Sequence, residues 1–542
     1  MKRPKFIFVS GGVLSGLGKG IVTASIGNLL KSRGYKVTAV KIDMYLNLDA
    51  GTIRPTEHGE VFVTKDGLET DQDIGNYERF LEQELNKTNY ITTGQVYWEV
   101  LRKERAFEYD GEDVEAIPHV SNEIIRRIEL AGSENKSEIV LVELGGTVGE
   151  YQNALFFEAT RLMKMKYPND VLQVHLAYLP IPSKLGEMKT KPVQQSVQAL
   201  NSMGIQPDFI IGRSEIEMDE KRKERIALFC NVSTEHIFSD PDVESIYEIP
   251  KVLDEQCLAE KMLSKLGLAP RYKHGSNWKK LIKKIKKTKK NINIALVGKY
   301  FQTGDFVLSD AYISVIEAIK HAGWDNGVGI NLKWINAQDF EKNPNLVEKL
   351  NNYHGIVVPG GFGSRGIEGI ISAIKFAREI KIPYLGLCYG MQLATVEFAR
   401  NVAGIKDANT AEINPKGKNN VIHIMTNQEK KMLKNEYGGS MRLGNYLAKI
   451  NRETISYQAY RKSMIEERHR HRYEFNNKYR KHLEKFGLVI AGTSPDNHIV
   501  EIIELKKKDH PFFVGVQFHP EFKSWPTKGH PLFKEFMRSI KY

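Results

Sequence analysis

Residues 6–21 read FIFVSGGVLSGLGKGI, and they set the architecture of the N-terminal half. The apolar run predicts a buried strand, the glycines predict a loop, and we expect a helix from Ile21. In such a loop backbone N–H groups turn inward, the helix N-terminus adds its positive end, and Lys19 adds a mobile charge. The stretch predicts a phosphate-binding unit; the alternative is an ordinary glycine-rich turn with a surface lysine.

The loop departs from the phosphate-binding pattern G-x-x-x-x-G-K-[S/T] at two positions. Val13 stands where the first glycine is expected, and Gly20 replaces the Ser or Thr that would hold Mg²⁺. Carboxylates are the natural alternative ligands for this hard cation. Asp73 and Glu143 follow apolar runs and are the candidates, although either could be a solvated loop acid. Lys41 ends another predicted strand and points a cation to the same edge.

Short apolar runs alternate with longer amphipathic stretches in both halves of the chain. The apolar runs cover residues 6–10, 36–43, 138–144, 171–179, 292–298, 355–358, 382–387 and 512–518. This alternation is typical of parallel sheets with crossover helices, so we predict an α/β fold. The predicted domains are residues 1–270 and 291–542, joined by a basic linker at residues 271–290.

The positive charge of the chain is concentrated in that linker. The 542 residues carry 78 Lys and Arg against 66 Asp and Glu, a formal net charge of +12. Ten of the cations and no acid lie in residues 271–290. We therefore expect small anions, and no nucleic acid, as partners; binding of nucleic acid by the linker is the competing hypothesis.

Composition and cysteine content indicate the class and compartment. With 41% hydrophobic and 27% charged residues, the chain is not collagen-like, mucin-like or disordered as a whole. Its three cysteines are too few for a disulfide-stapled secreted protein. The N-terminus lacks the apolar core of a signal peptide, and no long apolar window occurs. We expect a cytoplasmic protein without membrane contact.

A second constellation surrounds Cys388. Residues 386–390 read GLCYG directly after an apolar run, which is the pattern of a nucleophile elbow. The alternative is a buried structural cysteine, the role we expect for Cys230; Cys257 also lacks the glycine frame.

The partners of such a thiol are expected near the C-terminus. His519 and Glu521 follow the apolar run 512–518, and Pro520 between them holds the turn rigid. Cys388, His519 and Glu521 therefore predict an acyl-transfer triad. The backbone N–H groups of Gly361 and Tyr389 would form the oxyanion hole.

Two further clusters are weaker signals. Residues 189–194 read KTKPVQ and could hold a second polyphosphate or be solvated surface. Residues 467–474 read ERHRHRYE, where metal binding is conceivable. The interleaved arginines favour a structural or carboxylate-binding role there.

The whole chain resembles the CTP synthase family. The resemblance rests on ordered motifs: GGVLSGLGKG at 11–20, KID at 41–43, HGEVFV at 58–63, ETDQD at 69–73, YERF at 77–80, IPH at 117–119, ELGGTVG at 143–149, KTKP at 189–192, LGLCYGMQ at 385–392, MRLG at 441–444, ERHRHRYE at 467–474 and HPEF at 519–522. It implies a P-loop-like parallel-sheet synthetase (amidoligase) domain followed by a class I glutamine amidotransferase α/β domain. It also implies that ATP phosphorylates O4 of UTP and that ammonia, released from glutamine at Cys388, displaces the phosphate to give CTP.

The resemblance assigns binding residues to three sites. It implies ATP contacts at Gly16, Leu17, Gly18, Lys19, Gly20, Ile21, Asp73, Pro241, Asp242 and Val243, with Mg²⁺ on Asp73 and Glu143. It implies UTP or CTP contacts at Ser15, Lys41, Glu150, Tyr151, Gln152, Lys189, Thr190, Lys191, Pro192, Val193, Gln194 and Arg225. It implies glutamine contacts at Gly361, Tyr389, Gly390, Met391, Gln392, Glu412 and Arg472. GTP as allosteric activator, feedback by CTP and a homotetramer that can form filaments are also expected.

Four departures from the family pattern fall where the pyrimidine nucleotide is expected. Residues 150–152 read EYQ instead of DIE, Arg225 replaces a lysine, Glu115 replaces a glutamine, and Val193 replaces a threonine. A buried change of this kind is worth about one to a few kcal/mol. The alternative prediction is a diverged paralogue that aminates or activates a different nucleotide or acid with the same ATP and glutaminase chemistry.

Overall fold

A computed structural model of the chain describes residues 3–184, 186–272, 276–288, 290–299, 302–303, 306–307, 309–425, 428 and 438–541. The strands are β1 Lys5–Gly12, β2 Val37–Asp43, β3 Phe62–Val63, β4 Glu69–Thr70, β5 Tyr90–Thr92, β6 Ile139–Leu144, β7 Val171–Tyr178, β8 Phe209–Ser214, β9 Ile237–Pro241, β10 Asn291–Gly298, β11 Gln302–Thr303, β12 Phe306–Val307, β13 Gly329–Asn336, β14 Gly355–Val358, β15 Tyr384–Leu387, β16 Asn409–Thr410, β17 Asn420–Ile424, β18 Arg442–Ile450, β19 Met464–His471, β20 Tyr473–Phe475, β21 Val489–Thr493, β22 Val500–Glu504 and β23 Phe513–Val516.

Helices alternate with these strands, as the sequence predicts. The α-helices are α1 Lys19–Ser32, α2 Pro55–His58, α3 Gln72–Leu81, α4 Thr93–Arg105, α5 Ser121–Glu134, α6 Ala154–Lys166, α7 Lys191–Ser202, α8 Glu220–Cys230, α9 Ile249–Glu255, α10 Leu258–Lys265, α11 Ser276–Lys287, α12 Ile313–Asp325, α13 Ala337–Lys342, α14 Ile367–Ile380, α15 Tyr389–Asn401, α16 Ile455–Tyr460, α17 Arg480–Lys485 and α18 Pro531–Ser539. Short 3₁₀ turns include Tyr151–Asn153, Pro344–Asn352 and Pro520–Lys523. In the described part of the chain, no helix is long and apolar enough to cross a membrane.

The chain divides into two compact units. The first comprises Met1–Asp49 and Asp73–Ile282, and the second comprises Ala50–Gln72 and Lys283–Tyr542. Residues 50–72 thus group with the second unit, although the sequence places them within the first predicted domain. The domain boundaries inferred from the sequence stay a prediction.

A seven-stranded sheet in the order β5-β2-β6-β1-β7-β8-β9 forms the centre of the first unit. All neighbouring strands are parallel. Parallel strands covered on both faces are apolar along their whole length, and Phe6, Ile7, Phe8 and Val9 of β1 are fully buried. Because the strands are parallel, the loops that follow them all leave one sheet edge, where such folds bind ligands.

The second unit contains a nine-stranded sheet in the order β13-β10-β14-β15-β23-β22-β21-β18-β19. Its first five strands are parallel and the remaining pairs are antiparallel. Leu387, the last residue of β15, lies opposite Val516, the last residue of β23. The residues that follow these two strands therefore emerge side by side.

Most of the basic linker, residues 271–290, is helical, because helix α11 spans Ser276–Lys287 within it. Its Leu281 and Ile282 are buried, while Lys279 and Lys280 are exposed. The indole Nε1 of Trp278 donates to the carbonyl oxygen of Tyr247 at 2.9 Å. The apolar side of the linker is therefore packed, which its high charge alone does not indicate.

Candidate active sites

The turn between β15 and α15 holds the predicted nucleophile. The backbone of Cys388 adopts φ 49° and ψ −94°, a strained conformation for a residue with a side chain. A Cβ on Gly390 would lie 2.4 Å from the carbonyl oxygen of Val358, and one on Gly386 would lie 2.5 Å from the hydroxyl of Tyr384. Both flanking glycines are therefore required by close packing around the turn.

His519 and Glu521 stand beside this turn because β23 neighbours β15. Nδ1 of His519 lies 2.7 Å from Oε1 of Glu521, and both side chains are buried. The imidazole stacks on the ring of Phe522, with centroids 5.1 Å apart. Its Nε2 is buried without a hydrogen-bond partner among the described residues. The carboxylate thus orients the ring and leaves Nε2 available for proton transfer.

The charge state of His519 follows from its surroundings. Burial disfavours the imidazolium, but the charges of Glu521 and Cys388 outweigh it and raise the pKa of His519 to about 10. Such a shift favours the imidazolium form of His519, which places a positive charge beside the sulfur of Cys388.

The two backbone amides predicted to form an oxyanion hole, those of Gly361 and Tyr389, belong to the loop after β14 and to the start of α15. Tyr389 is the first residue of α15, a helix position whose N–H belongs to the first turn. Gly361 lines the cavity in the loop after β14. A Cβ on the neighbouring Gly360 would lie 2.7 Å from Cε1 of His519, so this loop closely approaches the imidazole.

Cys388 opens into a cavity of about 490 Å³. Its lining includes Gly360, Gly361, Phe362, Gln392, Glu412, Met441, Arg470, His471, Arg472, Tyr473, His519, Glu521 and Phe522. Glu412 accepts a hydrogen bond from the amide of Gly363 at 2.6 Å, and burial raises the pKa of its carboxyl group. Nη1 of Arg472 donates to the hydroxyl of Ser440 at 2.8 Å. The cavity thus presents an acid and a guanidinium, a combination suited to a free amino acid.

The residues predicted to bind the substrate glutamine fall into two groups, one lining the cavity and one buried in helix α15. Gly361, Gln392, Glu412 and Arg472 line the cavity. Tyr389, Gly390 and Met391 are buried in α15. Burial of their side chains leaves the backbone at the start of the helix as the part that a ligand in the cavity would meet.

Sequence reasoning missed the segment 50–72, which also lines this cavity. Gly51, Thr52, Pro55, Glu60 and Val61 all face it. The HGEVFV motif at residues 58–63 was the available signal, but its residue types do not indicate a position beside the cavity of Cys388.

The arginine-rich strand β19 holds that segment. Nη1 of Arg468 donates to the carbonyl oxygen of Val63 at 2.7 Å, and Nε of Arg470 donates to Glu69 at 2.8 Å. The structural, carboxylate-binding role predicted for residues 467–474 agrees with these contacts. Among the described residues, no group of three or more His, Cys, Asp or Glu side chains is arranged to hold a metal.

In the first unit, the glycine loop after β1 has the strain of a phosphate loop. Helix α1 begins at Lys19, two residues before the predicted start, because Gly18 caps it with a left-handed backbone at φ 86°. Val13 adopts φ 82°, a conformation that favours glycine and is costly for a β-branched residue. Val13 therefore adopts a backbone conformation typical of glycine, the residue that the standard pattern places at this position.

Lys19 and the loop after β6 lie together at the sheet edge. Nζ of Lys19 donates to the carbonyl oxygen of Gly146 at 2.5 Å, and burial lowers the pKa of this lysine. A Cβ on Gly11 would lie 2.7 Å from Cδ of Lys19, so the side chain folds over the glycine loop.

The two candidate metal ligands converge on Lys41. Its Nζ lies 2.5 Å from Oδ2 of Asp73 and 2.9 Å from Oε1 of Glu143. Burial raises the pKa of Glu143 to about 7, while the charge of Lys41 acts in the opposite direction. A Cβ built on Gly20 would lie 1.9 Å from Oδ1 and 2.4 Å from Cγ of Asp73, so Asp73 already fills this space. The carboxylate of Asp73 thus occupies the region where a Ser or Thr hydroxyl would stand.

The remaining predicted ATP residues lie at the same sheet edge. Gly16 is exposed in the glycine loop, beside the predicted pyrimidine-nucleotide residue Ser15, which is also exposed. Leu17 is buried, and Ile21 lies in the first turn of α1. Pro241 ends β9, and Asp242 pairs with Arg213 at 2.6 Å. Asp242 and Val243 are therefore placed three strands away from the glycine loop in the sheet order.

Two stretches of the predicted pyrimidine site, residues 150–152 and 189–194, follow β6 and β7, the two neighbours of β1. The carboxylate of Glu150 accepts from the amide of Thr147 at 2.9 Å, and Tyr151 and Gln152 are exposed. Lys189 pairs with Glu187 at 2.6 Å, and Nε2 of Gln194 donates to Thr190. The structure brings these stretches to one edge but shows them bonded to their own neighbours.

The other positions near these stretches differ in exposure. Val193 is buried at the start of α7, where Lys191 is exposed and Pro192 occupies the first turn. Arg225 is exposed and stacks over Phe229 at 5.8 Å. Glu115 is also exposed, because it precedes the turn Ala116–Val120, so the charge change there is not a buried one within this chain.

Comparison with known proteins assigns both units to one family. The family model for the CTP synthase N-terminus matches residues 5–268, and that for class I glutamine amidotransferases matches residues 307–539. The chain is 48% identical over 538 residues to the CTP synthase of Clostridium acetobutylicum, covering 99% of this chain and 98% of that protein. It is 50% identical over 535 residues to the CTP synthase of Carboxydothermus hydrogenoformans, covering 98% of each chain.

A solved structure is also similar to part of this chain. The glutaminase domain of Trypanosoma brucei CTPS with bound acivicin is 35% identical, with a TM-score of 0.42, over 46% of this chain and 95% of that one. The full-length similarity to the bacterial proteins, together with both family models, shows that this chain belongs to the CTP synthase family.

Proposed function

We propose that the chain aminates UTP to CTP, using ATP and ammonia that it releases from glutamine. The observation that carries this proposal is the Cys388–His519–Glu521 arrangement at a cavity with opposite charges, in a chain of this family. The glycine loop with Lys19 and the Lys41 cluster supply the nucleotide-binding chemistry expected of the other unit.

Glutamine hydrolysis begins at Cys388. The thiolate attacks the side-chain amide carbon of glutamine, and the N–H groups of Gly361 and Tyr389 stabilise the resulting oxyanion. The imidazolium of His519 gives its proton to the departing nitrogen, so ammonia leaves and a thioester remains. Water, deprotonated by His519, then cleaves the thioester to glutamate and restores the thiolate. Arg472 and Glu412 would bind the carboxylate and the ammonium of glutamine.

The synthetase reaction transfers a phosphoryl group before the amination. The γ-phosphoryl of ATP passes to O4 of UTP, giving ADP and a good leaving group at C4. Ammonia adds at C4 and inorganic phosphate leaves, giving CTP. Residues 16–21 would hold the phosphates of ATP, because the start of α1 and Lys19 present N–H groups and a cation. Residues 150–152, 189–194 and Arg225 would contact the pyrimidine nucleotide.

Magnesium is proposed to bind beside this loop. The carboxylates of Asp73 and Glu143 converge on one cation, Lys41, and Mg²⁺ often takes one or two carboxylates plus substrate phosphates. The donor set therefore fits the ion. When bound, Mg²⁺ would neutralise phosphate charge during the transfer.

Several finer properties rest on the family resemblance. We propose that GTP activates glutamine hydrolysis, that CTP inhibits, and that the functional form is a homotetramer that can assemble into filaments. The cytoplasmic location predicted from the cysteine content belongs with these proposals.

The decisive experiment follows the conversion of UTP to CTP by absorbance with ATP, Mg²⁺ and glutamine. We expect CTP formation that requires all four components. Glutamine hydrolysis without CTP would contradict the proposal. A panel of nucleotides assayed for ATP-dependent phosphate release would then test the diverged-paralogue alternative, which strict preference for UTP would exclude.

A further inference from the structure

Gln517 contacts the nucleophile, although it has no role in the mechanism above. It follows β23 directly and is fully buried. Its Nε2 lies 3.6 Å from Sγ of Cys388, within hydrogen-bond distance for sulfur. Its backbone N–H donates to the carbonyl oxygen of Glu501 at 2.8 Å, which holds the residue at the end of the strand.

A backbone carbonyl determines which way the amide of Gln517 points. Nε2 of Gln392 donates to the carbonyl oxygen of Tyr473 at 3.1 Å, and a carbonyl can only accept. The same Nε2 lies 3.3 Å from Oε1 of Gln517. Since that contact needs an acceptor on Gln517, the amide must turn its NH₂ group towards the sulfur.

Besides its approach to His519, Sγ of Cys388 makes two hydrogen-bond contacts with opposite preferences. As a thiol, Sγ can donate to the carbonyl oxygen of Arg470, 3.7 Å away. The amide of Gln517 can only donate to the sulfur, and a donor binds an ionised acceptor more strongly than a neutral one. The first contact therefore favours the thiol, and the second favours the thiolate.

We propose that Gln517 is a positioning residue that holds Sγ of Cys388 and stabilises its thiolate through an amide oriented by Gln392 and the carbonyl of Tyr473. The inference rests on the proposed glutaminase reaction for its functional meaning. A residue that merely packed the end of β23 would affect folding but not the ionisation of the thiol.

The test is the pH dependence of Cys388 alkylation by iodoacetamide in the full-length chain. The Cys388 peptide is quantified by mass spectrometry, which separates it from Cys230 and Cys257. The titratable or charged side chains that line the cavity around the sulfur are Glu60, Tyr312, Glu412, Arg470, His471, Arg472, Tyr473, His519 and Glu521. All of them are unchanged in the variants compared.

Gln517→Met keeps the length of the side chain and removes the donor. We expect the midpoint of the pH–rate profile for Cys388 alkylation to rise by about one pH unit. At pH values below that midpoint the alkylation rate should therefore fall about tenfold. Gln517→Glu should slow it further, since a carboxylate would face the sulfur. The matched control is Gln458→Met on the surface helix α16, which should alkylate as the wild type does.

An unchanged pH midpoint in both Gln517 variants, with ammonia-dependent CTP formation retained, would overturn the inference. If either variant loses that activity through misfolding, Gln392→Met tests the same relay, because it removes the group that orients Gln517. Alkylation needs no turnover, so a wild type that failed to make CTP would refute the proposed function without affecting this result.

Discussion

Nε of Arg470 donates to Oε1 of Glu69 at 2.8 Å, across 401 residues of sequence. Glu69 is almost completely buried, and its Oε2 has no hydrogen-bond partner among the described residues. The carbonyl oxygen of the same Arg470 lies 3.7 Å from Sγ of Cys388. One residue thus contacts the nucleophile and also secures the segment 50–72 that lines the cavity.

Arg470→Met should release this segment. Removing one partner of a buried ion pair leaves an uncompensated charge and costs about 3 kcal/mol or more locally. We expect faster hydrogen–deuterium exchange in residues 60–71, measured by mass spectrometry. Arg538→Met, which breaks an exposed pair with Glu535, is the control and should leave the exchange unchanged. Unaltered exchange in Arg470→Met would show that the segment does not depend on the ion pair.

Cys388→Ala should separate the two half-reactions. Removing the nucleophile lowers glutamine-dependent CTP formation by about 10⁴-fold or more, since the thioester cannot form. CTP formation from ammonium chloride should stay within about twofold of the wild type, because the phosphoryl transfer does not use the thiol. Cys257→Ala, an exposed cysteine, is the control for both assays. Loss of both activities in Cys388→Ala would contradict the division of labour.

Gly20→Ala should impair the synthetase reaction and leave glutamine hydrolysis intact, the reverse of Cys388→Ala. The new Cβ would meet the carboxylate of Asp73, so that side chain must move away from Lys41. We expect ammonia-dependent CTP formation to fall about 100-fold, as for loss of a group that positions transferring phosphates. Basal glutamine hydrolysis should be retained. Ser32→Ala at the end of the same helix is the control, and normal CTP formation by Gly20→Ala would refute a role for Asp73.

Glu521→Gln should alter stability in a pH-dependent way. The pKa of His519, raised to about 10, exceeds its unfolded value of about 6.5. The protonated imidazole therefore stabilises the wild type fully below about pH 6.5, and this stabilisation is lost as the pH rises through about 10. We expect the wild type to melt a few degrees higher than Glu521→Gln at pH 6 and the difference to shrink towards pH 10.5.

Thermal unfolding monitored at several pH values between 6 and 10.5 measures this difference. Glu368→Gln, at an exposed acid, should show no such pH trend. A melting difference that is constant over the range would mean that Glu521 does not control the protonation of His519.

Local patterns predicted much of the fold and part of the sites. The apolar runs at β1, β2, β6, β7, β14 and β15 were expected within one or two residues of their observed ends, because buried parallel strands must be apolar throughout. The glycines around Cys388 were recognisable for a similar reason, since few other residues tolerate so tight a turn.

Long-range contacts were beyond the reach of these patterns. Nothing near Gln517 in the sequence indicates that its amide faces Cys388, because strand pairing of β15 with β23 creates the contact. The place of residues 50–72 at the cavity likewise depends on Arg468 and Arg470, far along the chain.

Residue types and their spacing along the chain were thus enough to predict two α/β halves, a phosphate loop and a Cys–His–Glu triad. These features arise from hydrophobic periodicity and from backbone conformations that particular residues favour, both of which are local. The convergence of Asp73 and Glu143 on Lys41, and the donor aimed at Cys388, depended on which strands became neighbours. Burial then gave those contacts their strength, because charges and hydrogen bonds act most strongly where water is excluded.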